Sequence, residues 1–287
     1  MKLCLQCKCD FESNGWLCPA CGFEPVNHNN LVLFSEELSE ANNGFNKEHF
    51  KNLVDIEENN FWFCVRNKLI LWALKTHFPH ASNFFEIGCG TGFVLRDIER
   101  HCSHLALFGS EIFTEGLEYA KMRTNASLIQ MDAKHIPFVN EFDVIGMFDV
   151  LEHIDDDEFV LSQMYNATSK NGGIIITVPQ HRFLWSKVDE LSSHKRRYVI
   201  GELQTKLQKA GFKVITSTSF VTFLLPFIVL SRMRLRFLNS KFNLYSEFKI
   251  NTVLNIVFKA ILNFEMILVK IGIRFPFGSS LLVIAKK

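Results

Sequence analysis

The chain of 287 residues has room for one large domain with appendages. With 31 Lys and Arg against 30 Asp and Glu the net charge is +1, so no global field steers a polyanion in and nucleic acid is disfavoured as a partner. Hydrophobic residues fill 48% of positions and Phe alone fills 29, while the start, Met1-Lys2-Leu3-Cys4, has no apolar run behind a basic head, so a secretory leader is not expected and a cytoplasmic location is.

Eight cysteines in a reducing compartment point to metal binding and buried thiols more than to disulfides. Four of them open the chain as Cys4-x-x-Cys7 and Cys18-Pro-Ala-Cys21-Gly22. Two such pairs can supply four thiolates to one tetrahedral zinc, and a piece this short has no core of its own, so the metal would fold it. Cys9 is a spare candidate ligand. Residues 1–26 are therefore expected to form a zinc-ribbon-like knuckle with a structural, closed site. Residues 27–80 read as a linker followed by a helical lid. The linker is polar, with Asn27-His28-Asn29-Asn30 and Asn42-Asn43-Gly44, and has one short element. Helical spacing begins near Lys47 and carries Phe50, Leu53-Val54, Phe61-Trp62-Phe63 and Leu69-Ile70-Leu71.

Phe84-Phe85-Glu86-Ile87 then reads as a buried strand that ends in Gly88-Cys89-Gly90-Thr91-Gly92, with a helix from Phe93 to His101. Such a turn lets a ligand lie against the main chain, and the helix aims free N–H groups at it. A dinucleotide fingerprint needs its third glycine at position 93, where this chain has Phe, so a nicotinamide or flavin oxidoreductase is disfavoured. Glu111 ends a second strand, where a carboxylate can accept ribose hydroxyls, and Asp132 ends a third. With these features in this order the sequence resembles the class I S-adenosylmethionine-dependent methyltransferases. The resemblance implies that Glu86, Gly88, Gly90 and Gly92 hold the methionine part, that Glu111 binds the ribose, and that Asp132 lies by the adenine. The fold it implies is α/β and Rossmann-like, a seven-stranded, mostly parallel sheet with an antiparallel last strand over residues 81–287.

Further along, residues 142–148 read as a fully buried strand. In the family the loop after this fourth strand faces the transferring methyl group, which places Asp149 on the cofactor. The loop has no proline clamp, and its Glu152-His153 pair resembles small-molecule and lipid-acting relatives. Gly172-Gly173-Ile174-Ile175-Ile176 is a fifth strand, followed by His181, Asp189 and His194-Lys195-Arg196-Arg197-Tyr198. A neutral His can take a proton from a hydroxyl and an Asp can fix its tautomer, so His194, His181 and Asp189 are the catalytic candidates. Arg66, Arg197 and Tyr198 are the substrate-binding candidates, with the basic cluster suited to a phosphate or carboxylate. Residues 220–277 form an insert before the last strand. Its stretch 250–271 shows a narrow polar stripe at Asn251, Asn255, Lys259 and Asn263, so a wide apolar face needs the sheet, a second subunit or the inner face of a membrane as cover. The expected function is methyl transfer to a small-molecule, sugar or lipid-linked acceptor; the alternatives are a ribosomal-RNA methylase and a non-catalytic docking module.

Overall fold

A computed structural model describes residues 1–40, 47–237 and 250–287. The run Asn42-Asn43-Gly44 of the linker and the middle of the insert, with Lys241 and Lys249, lie outside the described residues. The chain begins with a two-stranded ribbon, β1 (Lys2–Leu3) and β2 (Asp10–Phe11). Next comes a correction to the linker reading. β3 (Val26–His28) and β4 (Leu31–Leu33) form a hairpin through Asn29 and Asn30, both left-handed at φ 51° and 61°. Asn tolerates that conformation better than most residues, and paired left-handed residues match the twist of a tight hairpin.

α1 (Glu36–Glu40), α2 (Lys47–Glu57) and α3 (Phe61–His77) follow. Asn60 caps α3 by accepting from the Trp62 amide at 2.9 Å. A βαβαβ unit comes next: β5 (Asn83–Ile87), α4 (Phe93–His101), β6 (Ala106–Glu111), α5 (Thr114–Arg123) and β7 (Ser127–Gln130). The second half runs through β8 (Phe142–Phe148), α6 (Asp157–Ala167), β9 (Thr168–Pro179), α7 (Lys187–Leu191), α8 (Ile200–Lys209) and β10 (Lys213–Phe220). It then passes through the insert helices α9 (Leu225–Phe237) and α10 (Thr252–Lys270) to β11 (Ser280–Lys286).

The main sheet has nine strands in the order β10-β11-β9-β8-β5-β6-β7-β4-β3. Seven have the expected arrangement, with β11 antiparallel between β9 and β10. The hairpin adds the other two, β4 running parallel to β7. Side chains alternate between two cores, as the period of two requires. Phe84, Val144, Ile175 and Ile284 face α3 and α4, while Phe85, Ile145, Ile176 and Val283 face α6 and α8. The central strands are covered on both faces, which explains their unbroken apolar runs. The chain leaves β5 toward β7 and returns to β8 on the other side, so a crevice opens at the carboxyl ends of β5 and β8.

The N-terminal knuckle is docked on this body. The Leu3 amide donates to the Pro137 carbonyl at 2.9 Å, and the Val139 amide to that of Met1 at 3.0 Å. Trp16 packs edge-on against Phe34 at 4.7 Å and Phe138 at 5.5 Å between ring centres.

Candidate functional site

The crevice holds a cleft of about 770 Å³ that takes in the β5 turn, the ends of β6 and β7, α2, the start of α3 and the loops after β8 and α7. Two of the turn glycines set its floor. Gly92 has φ 75°, and a Cβ there would meet the Ala120 Cα at 2.9 Å, so α4 and α5 close on bare backbone. Gly90 is also left-handed, at φ 51°, but the space over it is open to the cleft. Glu111 reaches back to this turn. Its carboxylate accepts from the Gly90 amide at 3.0 Å and the Ile112 amide at 2.8 Å, while burial raises its pKa against those bonds. Asp132 lines the same end and accepts from the Lys134 amide at 3.0 Å.

Glu86 is buried at the end of β5, and one of its oxygens has no hydrogen-bond partner among the described residues. Burial holds its pKa well above the usual range, with the Arg66 guanidinium opposing. Arg66 lines the cleft, and its Nε has no hydrogen-bond partner among the described residues. It is buried, bonds Asp149 at 2.8 Å, and lies over the Trp62 ring at 4.7 Å. Asp149 has φ 56° and accepts from the Thr177 hydroxyl at 2.9 Å. A further cluster escaped the sequence reading. Glu57 of α2 accepts from the Thr91 hydroxyl at 2.7 Å and from Arg123 of α5 at 2.6 Å, which clasps the lid to the glycine turn. Three polar residues scattered over 66 positions of chain carry no local signal.

On the opposite wall the basic cluster divides. Arg197 is buried and donates to Asp189 at 2.7 Å and to the Gln180 carbonyl at 3.2 Å. Tyr198 is wholly buried, its hydroxyl 2.7 Å from Asp157, and burial followed by that bond raises its pKa. Arg196 also pairs with Asp157, at 2.9 Å. The structure thus corrects the substrate assignments of Arg197 and Tyr198: both are spent on carboxylates behind the cleft wall. His181 is corrected too, since it does not line the cleft. Its ring stacks between Phe183 and Phe277, where burial and then Arg197 lower its pKa. Asp189 is buried, closes a capping box on Ser186 and accepts from His194 Nδ1 at 3.0 Å. Of the three catalytic candidates only His194 reaches the cleft, beside Ser192, Ser193 and Lys195.

The Cys4, Cys7, Cys18 and Cys21 sulfurs lie within 4.8 Å of one another, the Cys4–Cys21 and Cys7–Cys18 pairs at 3.6 Å. Four thiolates at the usual 2.3 Å from one zinc would stand about 3.8 Å apart, so this set fits the ion. Cys9 turns away, toward the Asp10 carbonyl.

Residues 85–176 match the family described as methyltransferase domain. No curated protein matches the sequence significantly. Among solved structures the chain is similar to the Haemonchus contortus phosphoethanolamine N-methyltransferase 2 in complex with S-adenosyl-L-methionine, at 20% identity and a TM-score of 0.57 over 90% of this chain and 60% of that one. It is also similar to a chain of a complex formed by the Haloferax volcanii Trm112 methyltransferase activator, at 14% identity and a TM-score of 0.53 over 84% and 93%. A third similarity is to a Thermotoga maritima S-adenosylmethionine-dependent methyltransferase, at 18% identity and a TM-score of 0.51 over 83% and 99%. At these identities the likeness is one of fold.

Proposed function

We propose that this chain, a class I S-adenosylmethionine-dependent methyltransferase by its fold and matched domain, methylates a small-molecule or lipid-linked acceptor held against the wall formed by Ser192, Ser193, His194 and Lys195. One observation carries the reading: the cleft does not end at the glycine turn but runs on past Asp149 to that wall, leaving room for a second reactant. The residues fit the cofactor. The orphaned Glu86 oxygen suits the ammonium of a methionine moiety, the open space over Gly90 suits its close approach, and Glu111 suits two ribose hydroxyls. Asp132 would lie toward the adenine.

When bound, the cofactor supplies an activated sulfonium methyl. The work of the chain is then to align an acceptor with it and to exclude water. Phe50, Trp62, Phe63 and Phe113 roof the cleft, and the Arg66–Asp149 pair fixes the backbone beside the reacting region. Alignment of this kind can lower a barrier by about 7–11 kcal/mol. The knuckle would hold one zinc and keep the first strand docked on residues 137–139. The insert would bring the enzyme to the inner face of a membrane.

Calorimetric titration with S-adenosylhomocysteine, with NADH as control, tests the cofactor half. Binding of the first alone is expected, and binding of neither defeats the reading. Metal analysis is expected to give one zinc per chain, lost in Cys18→Ser without loss of S-adenosylhomocysteine affinity.

A further inference from the structure

Glu152 is the strangest residue of the acceptor wall. It stands in the loop after β8, its side chain is 1% exposed, and neither carboxylate oxygen has a hydrogen-bond partner among the described residues. An ionised carboxylate buried without partners is expensive, so such a group either stays protonated or takes up a cation. None is supplied by the protein within bonding reach, since Arg66 serves Asp149 and Arg197 serves Asp189. What does face Glu152 is imidazole. His194 Nε2 stands 3.9 Å from Oε1, too far for a hydrogen bond. His153 adjoins both, its ring 4.7 Å from that of His194.

We propose that Glu152, His153 and His194 form a divalent-cation site at the acceptor end of the cleft. One donor atom from each lies within 4.8 Å of the others. Donors about 2.0–2.2 Å from a common centre stand about 3–4.4 Å apart, so small side-chain rotations close the set. The surroundings are those of a ligand histidine. Nδ1 of His194 is 3.0 Å from Asp189, which leaves Nε2 as the free lone pair, and Asp189 is itself held by Arg197. The main chain ties the two loops together through the Lys195 amide, which donates to the Glu152 carbonyl at 2.8 Å. Two imidazoles and one carboxylate suit first-row divalent ions and leave coordination positions open. His153 and His194 line the cleft, so those positions face the acceptor.

The role of the ion rests on the methyltransferase reading, although its binding does not. A hydroxyl of the acceptor on the ion would lose its proton to solvent more readily. Its oxygen would then form the new O–C bond as the S–C bond of the donor breaks, with one proton released and no change of oxidation state. The site thereby favours a hydroxyl-bearing acceptor.

The test is a titration with Mn²⁺ of the full chain brought to one zinc per chain, followed by electron paramagnetic resonance of the free ion. Mn²⁺ prefers oxygen and imidazole to thiolate, which keeps it off the knuckle. One Mn²⁺ per chain is expected, with affinity reduced about tenfold or more in Glu152→Gln and in His194→Ala. S-adenosylhomocysteine affinity, measured on the same preparations, should stay unchanged and so report that the variants fold. No Mn²⁺ on a chain that binds S-adenosylhomocysteine, or equal Mn²⁺ affinity in wild type and both variants, overturns the site and returns His194 to the role of direct proton acceptor. Mn²⁺ binding without S-adenosylhomocysteine binding upholds the site and counts against the methyltransferase reading alone.

Discussion

Glu111 ends β6 with both carboxylate oxygens already bonded to backbone amides of its own loop and of the glycine turn. Ribose hydroxyls would share these oxygens, and the ionised form accepts at both of them, whereas protonation turns one into a donor. Burial raises the Glu111 pKa, so the sign has two sides. For the empty chain, stability from this group is fully present below the unfolded carboxyl value of 4.5 and is lost as pH rises through the raised folded value. Cofactor binding runs the other way. S-adenosylhomocysteine affinity is expected to fall as the solution is acidified, beginning above the ordinary glutamate range, and the fall should be smaller in Glu111→Gln, where Glu86, whose pKa burial also raises, still titrates. Titrations across pH 4.5–8 check this, and a wild-type profile flat down to the ordinary glutamate value of 4.5 would remove Glu111 from the ribose. The acids at or just beyond the strand ends are legible in sequence because the carboxyl ends of a parallel sheet open on the crevice. The cations of the post-strand segment are not. Whether Arg197 or Tyr198 meets a substrate depends on whether Asp189 and Asp157, buried behind them, have already taken their donors, and that is a matter of tertiary packing.

At the level of elements, the glycine turn does two separable jobs. At Gly92 the left-handed backbone and the 2.9 Å approach of the Ala120 Cα both forbid a side chain, so Gly92→Ala must push α5 away from α4. A loss of about 1–3 kcal/mol of stability is expected, read from the denaturant midpoint. Gly90→Ala points its methyl into open cleft, so it should lose S-adenosylhomocysteine affinity at a smaller cost in stability. Equal stability losses would mean that the turn is purely structural. The strand-turn-helix order and the antiparallel last strand could be read from the runs of Phe, Ile and Val and from glycine spacing. The β3–β4 hairpin could not, although its two left-handed asparagines were in view. Three-residue strands leave little pattern to count, and what makes these strands is the free edge of β7. The Cys-x-x-Cys spacing announced a ligand set, while the docking of the knuckle depends on Trp16 finding Phe34 and Phe138.

Over the whole molecule, the two insert helices carry many exposed large apolar side chains among the described residues. Phe227, Leu230, Val253, Ile256, Ile267 and Ile271 are all more than half exposed. Ring contacts join Phe227 of α9, and Phe223 just before it, to Phe258 and Phe264 of α10, so these side chains belong to one region. α10 is long and apolar enough to cross a bilayer by length and composition. Its packing says otherwise: Leu262 and Val269 are buried, and Glu265, also buried, accepts from the Thr222 and Phe223 amides at 2.8 and 3.0 Å. A helix anchored to the body through a buried carboxylate is suited to lying on a surface more than to spanning one, and its charges bear on which surface that would be. Among the described residues of 221–234 and 250–277 the charged side chains outside the interior are Arg232, Arg234, Lys259, Lys270 and Arg274, all cationic. An apolar patch with a basic rim is complementary to an anionic bilayer. The patch also adjoins the cleft, because Phe61 at the start of α3 packs on Phe258 while Trp62 and Phe63 line the cofactor space. The full chain is therefore expected to sediment with phosphatidylglycerol vesicles and less with neutral ones, and added salt should weaken the binding. The substitutions Leu230→Glu and Ile256→Glu, at exposed positions where no core contact is lost, should abolish it without changing S-adenosylhomocysteine affinity. A chain that ignores anionic vesicles but runs as a dimer on sizing, and as a monomer when these two positions carry charge, would assign the apolar face to a second copy instead.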